Sequence, residues 1–204
     1  EYPEDARPLA HMETVLADLE EGRRSEPVRF AFYGASGTAA DLWTGYVRAY
    51  VQERFGDGGP GFTFAAKPRK WSRHQELLIE SSKHWTRHNA YRIDPESIDE
   101  PKAQFGVMGQ VLDTSSKFAW TQVSPKPGSR SETSLARYEV HYLLQDGGGS
   151  MWVKLDGKRV ATVSTDIGSK MARANALSSG SKVGVLRLEL EPGQAHVLRM
   201  GAKG

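Results

Sequence analysis

The sequence contains no cysteine among its 204 residues, which excludes disulfides, cysteine-ligated zinc and cysteine nucleophiles. It also has no apolar run that approaches the roughly 20 residues of a membrane-spanning helix. The formal net charge is only +2, from 27 basic and 25 acidic side chains. Such a small excess gives no electrostatic argument for binding nucleic acid. We therefore expect neither a membrane span nor a nucleic-acid partner.

The charge is unevenly distributed along the chain. Residues 1–100 carry 13 basic and 17 acidic side chains, a net charge of −4. Residues 101–204 carry 14 basic and 8 acidic side chains, a net charge of +6. Asymmetry of this kind is typical of a domain boundary, and the polar segment 94–102 contains two prolines, as a linker would. We predict two domains, over residues 1–93 and 94–204.

The first region has the pattern of an α/β protein. Apolar residues recur at helical spacing from Leu9 to Gly22 and again from Ala39 to Phe55. Between these helices, the mostly apolar run Pro27–Tyr33 predicts a strand, and the small residues of Gly34–Thr38 predict a sharp turn. A strand, a tight turn and a helix in this order open a sheet of parallel strands. This region therefore predicts part of a three-layer α/β unit.

The second region has the pattern of an all-β domain. Turn signals such as Asp156-Gly157 and Pro192-Gly193 separate short runs that favour strands. Seven strands are predicted here, at Phe105–Leu112, Phe118–Val123, Ala136–Leu144, Ser150–Leu155, Arg159–Ser164, Gly184–Leu190 and His196–Met200. Short strands with regular turns are typical of a β-sandwich or jelly roll.

The turn before the second helix is compatible with a dinucleotide-binding fold. Small residues in Gly34–Ala40 would let backbone N–H groups approach a pyrophosphate. That fold also needs a second parallel strand that ends in an acidic or basic residue about 20 residues later. The chain instead places four glycines and a proline within Gly56–Gly61. The dinucleotide interpretation fails at this point, and we predict no cofactor.

Phe32–Asp41, which contains Ser36, belongs to a longer stretch of the first region that resembles the SGNH (GDSL-type) hydrolase family. In that family the nucleophilic serine follows the first strand, and Ser36 stands at its position. A bacterial branch of the family continues in a way that is similar to Leu42–Arg48, Gln52–Phe62 and Lys67–Trp71. The resemblance covers roughly residues 27–75. It implies a flavodoxin-like three-layer fold and a serine ester hydrolase.

The resemblance assigns candidate roles to the residues of this turn. Ser36 is the candidate nucleophile, and the alternative is a turn serine that caps the following helix. The candidates for support of the turn or of the oxyanion are Gly34, Ala35, Gly37 and Asp41. Ala35 stands where the family has an aspartate that supports the turn. The site is therefore an engineered form, a natural variant or a decayed site.

The remaining catalytic blocks of the family are not recognisable. None of the six histidines lies in the Asp-x-x-His pattern that ends the family's catalytic domain. A serine without a base is a poor nucleophile at neutral pH, and each missing oxyanion donor costs roughly 3–4 kcal/mol. We therefore expect an N-terminal part of a larger hydrolase, with the β-rich region as an insertion. The rest of that fold would then be a partner, supplied as a second chain.

Three tryptophans are candidates for binding a glycan. Trp71 lies in a basic segment, whereas Trp120 and Trp152 lie in predicted strands, where aromatic residues either stack on sugars or belong to the core. His84 and His88 have the i, i+4 spacing of metal ligands but lack a third ligand, so no metal is predicted.

Two functions follow from the sequence. The favoured one, which the resemblance implies, is an extracytoplasmic bacterial esterase that acts on an acylated polysaccharide or a small ester. The alternative is an inactive SGNH-like protein that binds a glycan or another protein.

Overall fold

The structure is a computed structural model, and its centre is a five-stranded antiparallel sheet. Residues 8–67, 69–92, 105–178 and 182–203 are described. With strands numbered in chain order, the sheet runs β1 (Leu77–Ser81), β4 (Trp120–Pro125), β9 (Leu198–Lys203), β6 (Ser150–Leu155) and β7 (Lys158–Ser164). Two further antiparallel pairs are β2 (Thr86–Asn89) with β3 (Gln110–Asp113), and β5 (Arg137–Leu143) with β8 (Val183–Glu189).

The longest described helices precede the sheet in the chain. They are α1 (Ala10–Glu20) and α3 (Trp43–Phe55). The shorter helices are α2 (Ser36–Ala39), α4 (Ser131–Ser134) and α5 (Lys170–Ala174), with a 3-10 turn at Ala90–Arg92. The second predicted helix, Ala39–Phe55, is α3 but begins only at Trp43, because Asp41 has a left-handed φ of 54° that interrupts helical geometry after α2. The first predicted helix is confirmed by α1.

The hydrophobic core lies between the five-stranded sheet and the β5–β8 pair. Val123 of β4 and Val153 of β6 are buried and pack in one cluster with Val140 of β5. Successive residues of a strand point to opposite faces of the sheet. Trp120 and Trp152 therefore lie on the outer face, away from this core, and both are partly exposed. This outer face is where the strands place aromatic residues next to solvent.

The prediction of a three-layer α/β unit is wrong. Strands account for 31% of the structure and helices for 22%, and the sheets are antiparallel, so the fold is closer to an all-β domain. The run Pro27–Tyr33, predicted as the first parallel strand, forms no strand and is largely exposed. A strand needs a neighbour that satisfies its backbone N–H and C=O groups. None of the described segments pairs with this apolar run.

Each of the seven strands predicted for the second region overlaps one of the strands β3 to β9. The predicted strand Phe105–Leu112 is too long, because β3 begins only at Gln110 and a turn precedes it. The predicted Asp156-Gly157 turn joins β6 to β7, with φ values of 50° and 79° that suit a two-residue hairpin. From the first region, β1 pairs with β4 and β2 pairs with β3. The domain boundary at residue 93 and the linker 94–102 lie outside the described residues and stay predictions.

Candidate functional site

An open cavity of about 470 Å³ lies on the outer face of the sheet, between Trp120 and Trp152. Both tryptophans pair with Gly201 of the central strand β9, one from each side. A Cβ atom at Gly201 would lie only 2.5 Å from Trp152 Cζ2, so glycine leaves the room that this indole occupies. The other lining residues are Ser82, Lys83, His84, Lys117, Phe118 and Ala119.

Hydrogen bonds hold the two loops that form the walls of the cavity. The Ser82 N–H and the Trp85 Nε1–H both donate to the Trp120 carbonyl, each at 2.9 Å. The Trp120 N–H donates to Ser82 Oγ at 3.1 Å. Thr114 Oγ1 donates to the His84 carbonyl at 2.8 Å and so ties one loop to the other. A ligand would therefore meet walls that are already ordered, which lowers the entropic cost of binding.

The charged side chains at the cavity are cationic. Lys83 and Lys117 line it, none of the lining residues is acidic, and Lys117 Nζ lies 5.4 Å from the Phe118 ring centroid. On the same sheet face, the Arg199 guanidinium lies 4.3 Å from the Trp120 ring centroid, in cation–π geometry. Its buried Nε has no hydrogen-bond partner within the described part of the chain.

Ser36, the candidate nucleophile, is exposed at the first position of α2. The alternative role as a helix-capping serine is wrong, because Ala35 occupies the N-cap position and provides no side-chain cap. Gly34 lies against Thr38 so closely that a Cβ there would collide with Thr38 Oγ1. Over the residues that the structure describes, the Ser36 hydroxyl has no hydrogen-bond partner.

Exposed aromatic side chains flank this serine turn. The Phe32 ring lies edge-on to Trp43, with centroids 5.0 Å apart, and Trp43 Nε1 donates to Thr38 Oγ1 at 3.2 Å. Trp43 is 44% exposed and Tyr33 is 82% exposed. Large exposed apolar groups that occur together mark surfaces for contact with another molecule or segment.

Asp41 is the centre of a buried polar network. Its carboxylate accepts hydrogen bonds from Thr44 Oγ1 at 2.7 Å, Arg48 Nη2 at 2.5 Å and the Gln75 N–H at 2.8 Å. Burial opposes ionisation, but these donors and the charge of Arg48 together hold the pKa of Asp41 below its ordinary value. Asp41 thus joins the chain after the serine turn to the segment that leads into β1. Its predicted support of the serine site stays a prediction.

Glu76 extends this network to the segment between β4 and β5. Its carboxylate lies 3.4 Å from Arg48 Nε and accepts a hydrogen bond from Ser131 Oγ at 2.5 Å. The Glu76 carbonyl accepts from the Lys126 N–H at 2.8 Å. Helix α3 is therefore connected to the loop between β4 and β5 through one acidic side chain.

His74 has both ring nitrogens in structural contacts. Its Nδ1 accepts from the Glu76 N–H at 3.1 Å, and its Nε2 lies 3.2 Å from the Pro60 carbonyl. Burial, with the nearby charge of Arg48, lowers the pKa of His74. This histidine is therefore neutral at pH 7 with its ring already engaged, and it is not poised as a base for Ser36.

His196 lies beside the Asp156-Gly157 turn between β6 and β7, and both of its ring nitrogens are also engaged. Its Nδ1 lies 2.7 Å from Asp156 Oδ2, and its Nε2 lies 2.8 Å from the Glu191 carbonyl. The hydrogen bond to the Asp156 carboxylate raises the pKa of His196. Two acceptors favour the imidazolium form, which donates from both nitrogens. This histidine therefore stabilises the Asp156-Gly157 turn, and neither of its ring nitrogens is free to act on a reacting group.

The structure brings Trp120 and Trp152 together but does not place Trp71 with them. Trp71 is 42% exposed, and its ring lies 5.3 Å from the Arg69 guanidinium, outside the cavity. Sequence reasoning missed most of the other lining residues, among them Lys83, Lys117 and Phe118. The adjacent Lys117-Phe118 pair, at the start of a predicted strand, was the signal available for two of them.

Comparison with protein-family models, with curated proteins and with solved structures gives no match for this chain. The SGNH resemblance therefore stays a prediction from the residues around Ser36. His84 and His88 belong to no metal cluster, since the described ranges contain no group of three His, Asp or Glu side chains able to hold an ion. In those same ranges, no helix has the length and apolar character needed to cross a membrane.

Proposed function

We propose that this protein binds a glycan in the cavity between Trp120 and Trp152. The observation that carries the proposal is that these two indoles line one open cavity on the outer face of the sheet. Sugar rings have apolar C–H faces and hydroxyl groups at their edges. Indole faces with polar side chains at the rim suit both parts of such a ligand.

The size and order of the cavity support this proposal. Its volume of about 470 Å³ lies within the range of small-molecule sites. Strands β4 and β6 are separated by β9, so their backbones lie about 10 Å apart, twice the spacing of neighbouring strands. Trp120 and Trp152 therefore sit close enough to contact one short stretch of a sugar chain. Because the loop walls are hydrogen-bonded, little ordering is needed on binding.

Substitution of the two cavity tryptophans tests this proposal. Affinity electrophoresis against soluble neutral and acidic polysaccharides would identify a ligand, and isothermal titration calorimetry would measure its affinity. We expect Trp120→Ala and Trp152→Ala each to weaken binding at least about tenfold, which is about 1.4 kcal/mol.

Trp71→Ala is the matched control, because Trp71 is an exposed tryptophan outside the cavity. It should bind like the wild-type protein, and circular dichroism should show that all three variants are folded. Binding to none of the polysaccharides would reject the proposal. An equal loss of affinity in Trp71→Ala and in the two cavity variants would reject the cavity as the binding site.

A second candidate is an acyl-ester hydrolase of SGNH type with Ser36 as nucleophile. The observation in its favour is the exposed Ser36 hydroxyl, which has no hydrogen-bond partner among the described residues and lies beside the aromatic surface of Phe32 and Trp43. No described histidine contacts Ser36, so the base would come from the remaining catalytic blocks, as a segment that covers this surface. The substrate would be a small ester or an acylated polysaccharide held in the tryptophan cavity. A polysaccharide of this kind implies an extracytoplasmic bacterial setting.

Hydrolysis of p-nitrophenyl acetate by the protein purified from its natural source tests this second candidate. Ser36→Ala should lower the rate about 10⁴-fold or more if the hydroxyl is the nucleophile. Ala35→Asp, which restores the family's aspartate, should raise it. Ser25→Ala is the matched control, since Ser25 is an exposed serine outside the turn Gly34–Thr38. Equal rates for Ser36→Ala and the control would reject the esterase.

A further inference from the structure

We infer that the cavity between Trp120 and Trp152 selects glycans that carry uronic acids, whose carboxylates meet Lys83 and Lys117. This inference rests on the proposed glycan binding and adds the chemical class of the ligand. Lys83 and Lys117 belong to the two loops on the cavity walls, and both are exposed. Among the described residues, neither lysine forms a salt bridge with an acidic side chain.

The wider sheet face has the same sign of charge. Lys154 Nζ lies 5.5 Å from the Trp152 ring centroid, and Arg199 stacks on Trp120 with an unpartnered Nε. Glu80 is an acidic residue on this face, and its carboxylate accepts a hydrogen bond from Gln122 Nε2 at 3.3 Å. Cations therefore surround the indoles and favour an anionic ligand over a neutral one.

The arrangement of charge and aromatic surface fits an acidic sugar. In a uronic acid, the carboxylate is a substituent at the edge of the pyranose ring, while the ring face stays apolar. A ring that stacks on Trp120 or Trp152 would direct its edge to the loops that carry Lys83 and Lys117. Each ammonium group could then form a charge-assisted hydrogen bond with the carboxylate.

Single-stranded nucleic acid also combines anionic groups with stacking surfaces, but the site suits it less well. Proteins that bind it use a basic groove that follows the backbone over several nucleotides. Here the charged residues that line the cavity are two lysines, and the whole chain has a net charge of only +2. The observations therefore favour the acidic polysaccharide.

Calorimetry with polygalacturonate and with its carboxyl-reduced, neutral counterpart tests the inference. We expect polygalacturonate to bind at least about tenfold more tightly, and the difference to shrink in about 1 M salt, where the Debye length is about 3 Å. In Lys83→Gln/Lys117→Gln, the ratio of the two affinities should fall toward one. Lys158→Gln/Lys170→Gln removes the same charge away from the cavity and should leave the ratio unchanged.

The outcomes separate this inference from the proposed function. Equal affinity for both polymers, with binding still lost in Trp120→Ala, would overturn the acidic selectivity and leave glycan binding intact. Tighter binding of dextran sulfate or of poly(dT) than of polygalacturonate would also overturn it. Binding to no polymer would reject glycan binding itself, and the inference with it.

Discussion

Replacing Asp41 by asparagine tests whether the buried polar network holds helix α3 to the β-sheet domain. The Asp41 side chain is only 8% exposed and receives three hydrogen bonds, including one from Arg48. Asparagine has the same shape and tolerates the left-handed φ of 54° at this position. The substitution therefore removes the charge without adding backbone strain.

The size of the effect follows from what remains around Arg48. Removing one partner of a buried ion pair costs about 3–5 kcal/mol, since the other charge is left unpaired. Arg48 is 19% exposed and keeps the Glu76 carboxylate at 3.4 Å, so part of its charge remains compensated. We therefore expect Asp41→Asn to lower the free energy of unfolding by about 2–3 kcal/mol at pH 7.

Urea denaturation followed by tryptophan fluorescence would measure this loss. Asp113→Asn is the matched control, because Asp113 is 59% exposed and its substitution should change stability by less than about 0.5 kcal/mol. Asp41→Ala should cost about 1 kcal/mol more than Asp41→Asn, since alanine is strained at a positive φ. If Asp41→Asn lowered the free energy of unfolding by no more than Asp113→Asn does, the reasoning would be refuted.

The pH dependence gives an independent check on the same carboxylate. The folded-state pKa of Asp41 is lower than its ordinary value, so the unfolded chain binds the proton more tightly. The stabilisation is therefore complete above the ordinary pKa of about 3.9 and is lost as the pH falls toward the folded-state pKa. The denaturation curves of wild type and Asp41→Asn should converge in acid. A constant difference between them would contradict a charge effect.

Two further predictions concern the five-stranded sheet and the turn between β6 and β7. Gly201→Ala should lower stability by about 1–3 kcal/mol and change tryptophan fluorescence, because the new Cβ would collide with Trp152; an unchanged denaturation curve would contradict this. His196 should titrate by NMR above its ordinary pKa of about 6.5, and Asp156→Asn should lower that value. Because the folded-state pKa of His196 is raised, its ion pair with Asp156 stabilises the fold below pH 6.5. This stabilisation is lost as the pH rises through the folded-state pKa. A His196 pKa of about 6.5 would contradict the prediction.

The strands of the second region are predictable because their signals are local. The Asp156-Gly157 turn fixes a hairpin within a few residues, and alternation along β6 distinguishes buried Val153 from Trp152 on the other face. The run Pro27–Tyr33 shows the limit of such patterns. Its apolar residues satisfy the local criterion for a strand, but pairing depends on a partner that local sequence does not specify.

The candidate site depends on contacts between distant parts of the chain, which explains what sequence reasoning missed. Trp120 and Trp152 were identified singly, but their common cavity follows from the register of both strands with Gly201. Lys83 and Lys117 reach the same cavity from loops 34 positions apart in the sequence. Composition and spacing do not report such register or loop closure.

Edge strand β1 connects the two features on which these proposals depend. Glu76, directly before β1, joins the network around Asp41, and Ser82, directly after β1, is hydrogen-bonded to Trp120 at the cavity wall. Among the described strands, β1 pairs only with β4, and a strand of five residues at an edge frays easily unless its ends are held. Five residues of strand span about 17 Å. The buried network therefore fixes one end of the strand whose other end shapes the cavity, so the structural role of Asp41 and the proposed binding role of Trp120 depend on the same strand.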